Sequence, residues 1–177
     1  MVDSEALYRQ ALSKNRTGQF IEAYQDLTST IEGDPLFSKA YLKRAQLSYK
    51  LLKKYEEALS DLNKVVELDP ESEPAYLHRG IVKSHLLMFN ESLSDFEKAI
   101  EMDPTEEKAY LNRGKVKYFL EFDETEVKAD LNRAVLLGSV QAADMINLFY
   151  GENRESVRAS MMQGIKQRAE QLKVKNI

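Results

Sequence analysis

Ala75-Tyr76-Leu77-His78-Arg79-Gly80 decides the fold, because the chain spells this stretch three times. It stands also as Ala40-Tyr41-Leu42-Lys43-Arg44-Ala45 and as Ala109-Tyr110-Leu111-Asn112-Arg113-Gly114, with the tyrosines 35 and 34 residues apart. A second signature keeps the same beat: Glu32-Gly33-Asp34-Pro35, Glu67-Leu68-Asp69-Pro70 and Glu101-Met102-Asp103-Pro104. Self-similarity at this period means a stack of supersecondary units, each of which buries its apolar face only against its neighbours.

Working outward from that stretch, apolar residues recur at spacings of three and four between the prolines, the amphipathic helical pattern. No alternation of period two is long enough for a half-buried strand. The fold class is therefore all α. Helix pairs are expected at about residues 4–15 and 20–31, 38–52 and 55–68, 73–87 and 91–102, and 106–120 and 124–137. Gly33 is expected to end its helix in the left-handed conformation. Ser72 and Asn90 are expected as N-caps, and Asp123 with Glu126 as a capping-box variant. The second and fourth repeats each carry one extra residue, expected in the turn within the helix pair.

These features resemble the tetratricopeptide repeat. The resemblance rests on the small residue of each first helix (Ala11, Ala45, Gly80, Gly114) and the aromatic that opens the second (Phe20, Tyr55, Phe89). The small position of the second helix (Ala23, Ala58, Ser92) and the closing Asp-Pro complete it. Val127 and Phe122 depart from the pattern in the fourth repeat. The resemblance implies an α-α superhelix, a right-handed solenoid of about four helix-turn-helix repeats over residues 4–138, at about 4–37, 38–72, 73–106 and 107–138. It further implies that the first (A) helices line a concave groove. Capping helices are expected to follow.

Arg44, Arg79 and Arg113 recur on the core face of the A helices, with Gln10 in the first repeat. Asp26, Asp61, Asp95 and Asp130 recur on the second (B) helices. A charge stranded on a largely buried face costs several kcal/mol, so these residues are expected to form structural ion pairs within a repeat or to the previous one.

Composition and motif exclude more than they assign. The chain has no cysteine and a formal net charge of -4. Cysteine nucleophiles, disulfides and thiolate zinc sites are thus absent, and the acidity argues against nucleic acid as the main partner. A cysteine-free chain whose first residues lack the build of a secretory signal reads as cytoplasmic, though a processed exported protein would look the same. No phosphate-binding glycine loop and no Gly-x-Ser-x-Gly elbow occurs. His78 and His85 lie seven residues apart on one helix, about 10 Å of rise, too far to share a metal. The reading is of no catalytic residue, no metal and no cofactor.

The face left for function is that of the A helices. Spacing places Tyr8, Arg9, Leu12 and Arg16 on the first, and Leu42, Lys43, Gln46, Tyr49 and Lys50 on the second. The third presents Leu77, His78, Ile81, Ser84 and His85; the fourth presents Leu111, Asn112, Lys115, Tyr118 and Phe119. Apolar and cationic groups mix here with no carboxylate, although residues 1–138 carry 25 acidic against 19 basic residues. Such a face suits an acidic, partly apolar peptide. Leu42, Leu77 and Leu111 are as well placed to pack between neighbouring A helices. One groove of the family clamps the C-terminal carboxylate of chaperone tails with lysines, asparagines and an arginine. The corresponding positions are Tyr8, Leu12, Lys43, Pro74 and His78. Shifted by one repeat they are Leu42, Gln46, His78, Lys108 and Asn112, of which only Lys108 fits, so no such clamp is expected.

The expected function is a non-enzymatic protein-interaction module or scaffold. The alternative is a self-assembling protein. Residues 139–150 are apolar enough to cap the last repeat. Residues 152–177 hold 6 basic against 3 acidic groups and a thin stripe of Val157, Met161, Ile165 and Leu172. That basic amphipathic helix is expected to pack on the cap, with homodimerisation as its second reading.

Overall fold

The spacing of three and four residues closes into helices throughout residues 3–175, the part of the chain that the computed structural model describes. In order these are α1 (Ser4–Arg16), α2 (Phe20–Gly33), α3 (Ser38–Leu47) and a π-helical turn (Ser48–Leu52). They continue as α4 (Tyr55–Leu68), α5 (Glu73–His85), α6 (Phe89–Met102) and α7 (Glu107–Phe119). Last come α8 (Glu124–Leu136), α9 (Val140–Tyr150) and α10 (Arg154–Lys175). The odd-numbered helices up to α7 are the A helices, and each precedes its B helix. The chain divides into two compact units, residues 1–82 and 83–177, with the boundary inside α5.

Two kinds of turn repeat, and each has its own physical cause. From A to B the chain passes through one left-handed residue: Gly18, Lys53, Leu87 and Glu121 have φ of 80, 57, 61 and 61°. The amide that follows reaches back to an orphan carbonyl of the A helix, as in Gln19 N to Lys14 O (2.9 Å) and Met88 N to Lys83 O (2.9 Å). From B to A the residue before each proline is extended, with φ of -142, -143 and -132° at Asp34, Asp69 and Asp103. The proline ring excludes the helical conformation for its predecessor, so the B helix ends there. That is why Gly33 needs no left-handed conformation. It is the last residue of α2 instead, and a Cβ on it would lie 2.8 Å from Ser4 Oγ.

Other local expectations are also corrected. Asn90 is the second residue of α6 rather than its cap. Asp123 stands at the N-cap of α8 without a side-chain hydrogen bond. The extra residue of the second repeat is not in the turn: it widens the end of the A helix into the π-helical turn. Lys53 N–H donates to Ser48 O, and so does Lys54 N–H, at 2.9 Å. The extra residue of the fourth repeat does lie in the turn, between α7 and α8, and leaves Phe122 40% exposed.

In the first unit the core is Tyr8, Ala11, Ala23, Leu27, Ile31, Ala40 and Leu47, with Phe20, Phe37 and Tyr41 against it. Ala11 and Ala23 are essentially inaccessible, which allows α1 and α2 to approach closely. In the second unit Leu111, Val127, Leu131, Ala134, Ala142 and Phe149 form the core. Val127, though larger than the residue the repeat pattern asks for, is fully buried. α9 closes this core: Phe149 stacks on Tyr118 of α7 with ring centroids 3.8 Å apart and planes 3° from parallel. Met161 of α10 packs on the same cluster, and Arg158 pairs with Glu121.

Buried charge follows a rule that the sequence reading saw only in half. Asp61 accepts two bonds from Arg44 (2.9 and 2.7 Å), and Asp130 two from Arg113 (3.0 and 2.6 Å). A second cation column stands one helical turn further on: Lys14 pairs with Asp26 (2.6 Å), Lys83 with Asp95 (2.7 Å) and Lys117 with Asp130 (3.0 Å). Asp26 therefore relies on Lys14, where the sequence reading looked for an arginine and found Gln10. In the second repeat the lysine column holds Ser48, and among the described residues Arg44 is the one cation paired with Asp61. Arg79 donates to Asn63 Oδ1 (3.2 Å) and lies over the Tyr76 ring.

Candidate peptide-binding face

In the first unit the helical stripe of candidate residues splits into a buried layer and an open one. Tyr8 is 9% exposed and packs its ring 5.1 Å from that of Phe37, so it belongs to the core and not to a binding surface. Tyr49 and His78 are buried as well. The Tyr49 hydroxyl lies 2.9 Å from His78 Nδ1, and Gln46 Nε2 lies 2.7 Å from His78 Nε2. Lys43 Nζ donates to Gln46 Oε1 (3.3 Å), which leaves the amide NH2 to donate to the imidazole. His78 then carries its proton on Nδ1 and donates it to Tyr49. Burial pushes the Tyr49 phenol far above its ordinary value, so it stays a neutral partner. Tyr49 and His78, with the half-buried Gln46, thus form a polar brace between α3, its π-helical turn and α5. Leu77 of α5 is also buried, as is Leu111 in the second unit.

The open layer is where chemistry is available. Leu12, Lys43, Gln46 and Lys50 converge on one cavity of about 150 Å³. Ala11, Leu27 and Leu47 line it from the core, and Asn15 and Leu51 complete it. Leu51 is 45% exposed, and the Lys50 ammonium lies 5.6 Å from the Tyr49 ring centroid. Among the described residues no carboxylate lines this cavity. Two amines and two amides thus surround an apolar floor. Arg9 pairs with Glu5 (3.3 Å), and both it and Arg16 are exposed beyond the cavity. Ile81 is half-buried. Spacing singled out Leu12, Lys43, Gln46 and Lys50, but it missed Asn15 and Leu51. The available signal was the extra residue of the second repeat, which turns Leu51 onto this face.

In the second unit the candidate residues are less concentrated. Asn112 Nδ2 donates to Lys108 O (2.8 Å), which ties up its amide on its own helix. Phe119 is half-buried and stacks on Phe89 at 5.9 Å. His85 is exposed. Lys115 is half-buried, and burial alone pulls its pKa below the ordinary lysine value. Among the described residues no group of histidine, aspartate and glutamate could hold a metal ion. No described helix is long and apolar enough to cross a membrane.

A model of the tetratricopeptide repeat matches residues 38–72, the repeat that contains α3, the π-helical turn and α4. Solved structures share the fold over more of the chain. The crystal structure of MamA superposes with a TM-score of 0.74 at 18% identity, covering 97% of this chain and 92% of that one. The chain has the fold of tetratricopeptide-repeat proteins. The first such domain of Spaghetti (RPAP3), bound to the HSP90 peptide SRMEEVD, is 26% identical over 67% of this repeat protein and 94% of its own length, with a TM-score of 0.65. YrrB, described as a tetratricopeptide-repeat protein with an unusual peptide-binding site, is 20% identical, with 82% and 74% of the two chains covered and a TM-score of 0.72. No curated protein sequence matches this repeat protein.

Proposed function

We propose that this repeat protein is a protein-interaction module whose A-helix face in the first unit receives an acidic peptide segment carrying an apolar side chain. One observation carries the reading: the cavity of about 150 Å³ has a floor of Ala11, Leu27 and Leu47, a rim that includes Lys43 and Lys50, and no carboxylate. A cavity of about this size accommodates a benzene-sized apolar group. The peptide's carboxylates then meet the lysine ammonium groups at the rim, and Asn15 and Gln46 serve its backbone.

The fold serves protein interaction in general rather than catalysis, and peptides occupy related domains, as in the Spaghetti (RPAP3) complex. The chaperone-tail clamp is not the mode here, because Leu12 and the buried Tyr8 and His78 stand where its polar residues would be.

Fluorescence anisotropy tests the reading with three labelled heptapeptides. These are Ser-Glu-Glu-Leu-Glu-Glu-Ser, a version with lysine for each glutamate, and a version with alanine for leucine. The first is expected to bind best, to lose affinity with added salt as the rim charges are screened, and to bind poorly to Lys43→Glu. Equal binding of the acidic and basic peptides would refute it.

A further inference from the structure

We propose that the π-helical turn Ser48–Leu52 is the specificity element of this cavity, aiming Leu51 and Lys50 so that it takes one aliphatic side chain next to a carboxylate. The inference rests on the peptide-binding reading above and adds the device that shapes the site.

Ser48 and Tyr55 of the second repeat match Lys83 and Phe89 of the third, with one more residue between them. In α5 the A helix ends normally, with Met88 N–H on Lys83 O. In the second repeat the same closure runs from Lys54 N–H to Ser48 O and spans one residue more. The fourth repeat shows that the chain has another way to absorb an extra residue, since there it sits in the turn and α7 ends undisturbed. The second repeat keeps the widened turn although the turn is locally unfavourable. Among the described residues Ser48 Oγ is buried with no hydrogen-bond partner. Within that widened turn lie Lys50 and Leu51, two residues of the cavity wall. π-helical turns of this kind are frequent at functional sites.

The physical effect is one of direction. An α-helix advances about 100° per residue, so a single residue absorbed in a wider turn re-aims the side chains inside it while its flanks keep their register. Tyr55 stays 8% exposed in the core, so the packing beyond the turn is preserved. Leu51 adds an aliphatic wall to the floor of Ala11 and Leu47, and Lys50 adds a second ammonium near Lys43.

Deleting Leu52 restores the residue count of the third repeat while retaining the chemistry of Lys50 and Leu51. Affinity for Ser-Glu-Glu-Leu-Glu-Glu-Ser is expected to fall by about tenfold or more, with no loss of melting temperature. Binding within about twofold of wild type would overturn the proposal. Leu51→Ala provides a second test should the deletion fail to fold. It should weaken the leucine peptide and leave the alanine peptide unchanged, and an equal effect on both would overturn the role of the turn. If wild type binds neither peptide in a manner that depends on Lys43, the peptide-binding reading itself is lost and this proposal with it.

Discussion

Replacing Arg44 by methionine tests the charge rule of the core, and the structure sets the size of the effect. The methionine retains most of the stem packing between Tyr24 and Tyr41. It removes two bonds to Asp61 and one to Thr28 Oγ1 at 3.1 Å. Among the described residues Asp61 has no second cation, because the lysine column holds Ser48 in this repeat. Losing one partner of such a buried pair costs about 3 kcal/mol. Arg113→Met removes an equivalent pair of bonds, but Lys117 remains 3.0 Å from Asp130, so about half that loss is expected. The pH dependence separates charge from packing. Burial outweighs Arg44 and raises the Asp61 pKa above its ordinary 3.8, and removing Arg44 raises it further. A carboxyl whose folded pKa is raised opposes stability once the pH exceeds its unfolded value. The Arg44→Met deficit should therefore be largest near pH 7 and shrink toward the ordinary value of 3.8 as Asp61 is protonated in both states. Urea unfolding of the three proteins across that range is the assay. Equal losses for the two variants, or an Arg44→Met deficit independent of pH, would refute the reasoning.

Gly114→Ala and Gly164→Ala should move stability in opposite directions. A Cβ at Gly114 lies 3.0 Å from Leu131 Cδ2 and 3.3 Å from Asp130 Cβ, and Leu131 is fully buried and cannot yield, so overpacking of about 1–3 kcal/mol exceeds the helical gain of about 1. Gly164 of α10 has open space, and its alanine variant should gain about 1 kcal/mol, read for both from the thermal midpoint. Lys53→Gly should stabilise by about 1 kcal/mol because Lys53 is exposed at φ 57°, and an unchanged or lowered urea midpoint would show that the turn is not strained. Removing residues 152–177 should lower the thermal midpoint through loss of the Met161 contact while light scattering reports a monomer before and after; a dimer that becomes a monomer would favour the self-assembly alternative.

The repeats and their turns were legible because they rest on local rules. The Asp-Pro signature dictates an extended aspartate, and the small residues of α1 and α2 dictate a close approach. The arginine and aspartate columns were legible for the same reason, since burial demands a counter-charge. The lysine column escaped notice because a lysine one turn beyond the arginine looks like any solvated residue until the stack places a carboxylate beside it. At the candidate site, helical spacing identified the stripe but not which edge of it a neighbouring helix would cover. Tyr8, Tyr49 and His78 consequently lie beneath the surface that Leu12, Lys43, Gln46 and Lys50 share. The extra residue of the second repeat was visible, but whether it would enter the turn or the helix depended on keeping Tyr55 packed, which is a tertiary matter.

Methyl NMR of the leucine residues during titration with Ser-Glu-Glu-Leu-Glu-Glu-Ser reads occupancy of the first-unit cavity side chain by side chain. Saturable shifts are expected at Leu12, Leu27, Leu47 and Leu51, which line the cavity, and none in the Lys43→Glu variant. Shifts confined to α9 and α10, or spread evenly over the B helices, would contradict it.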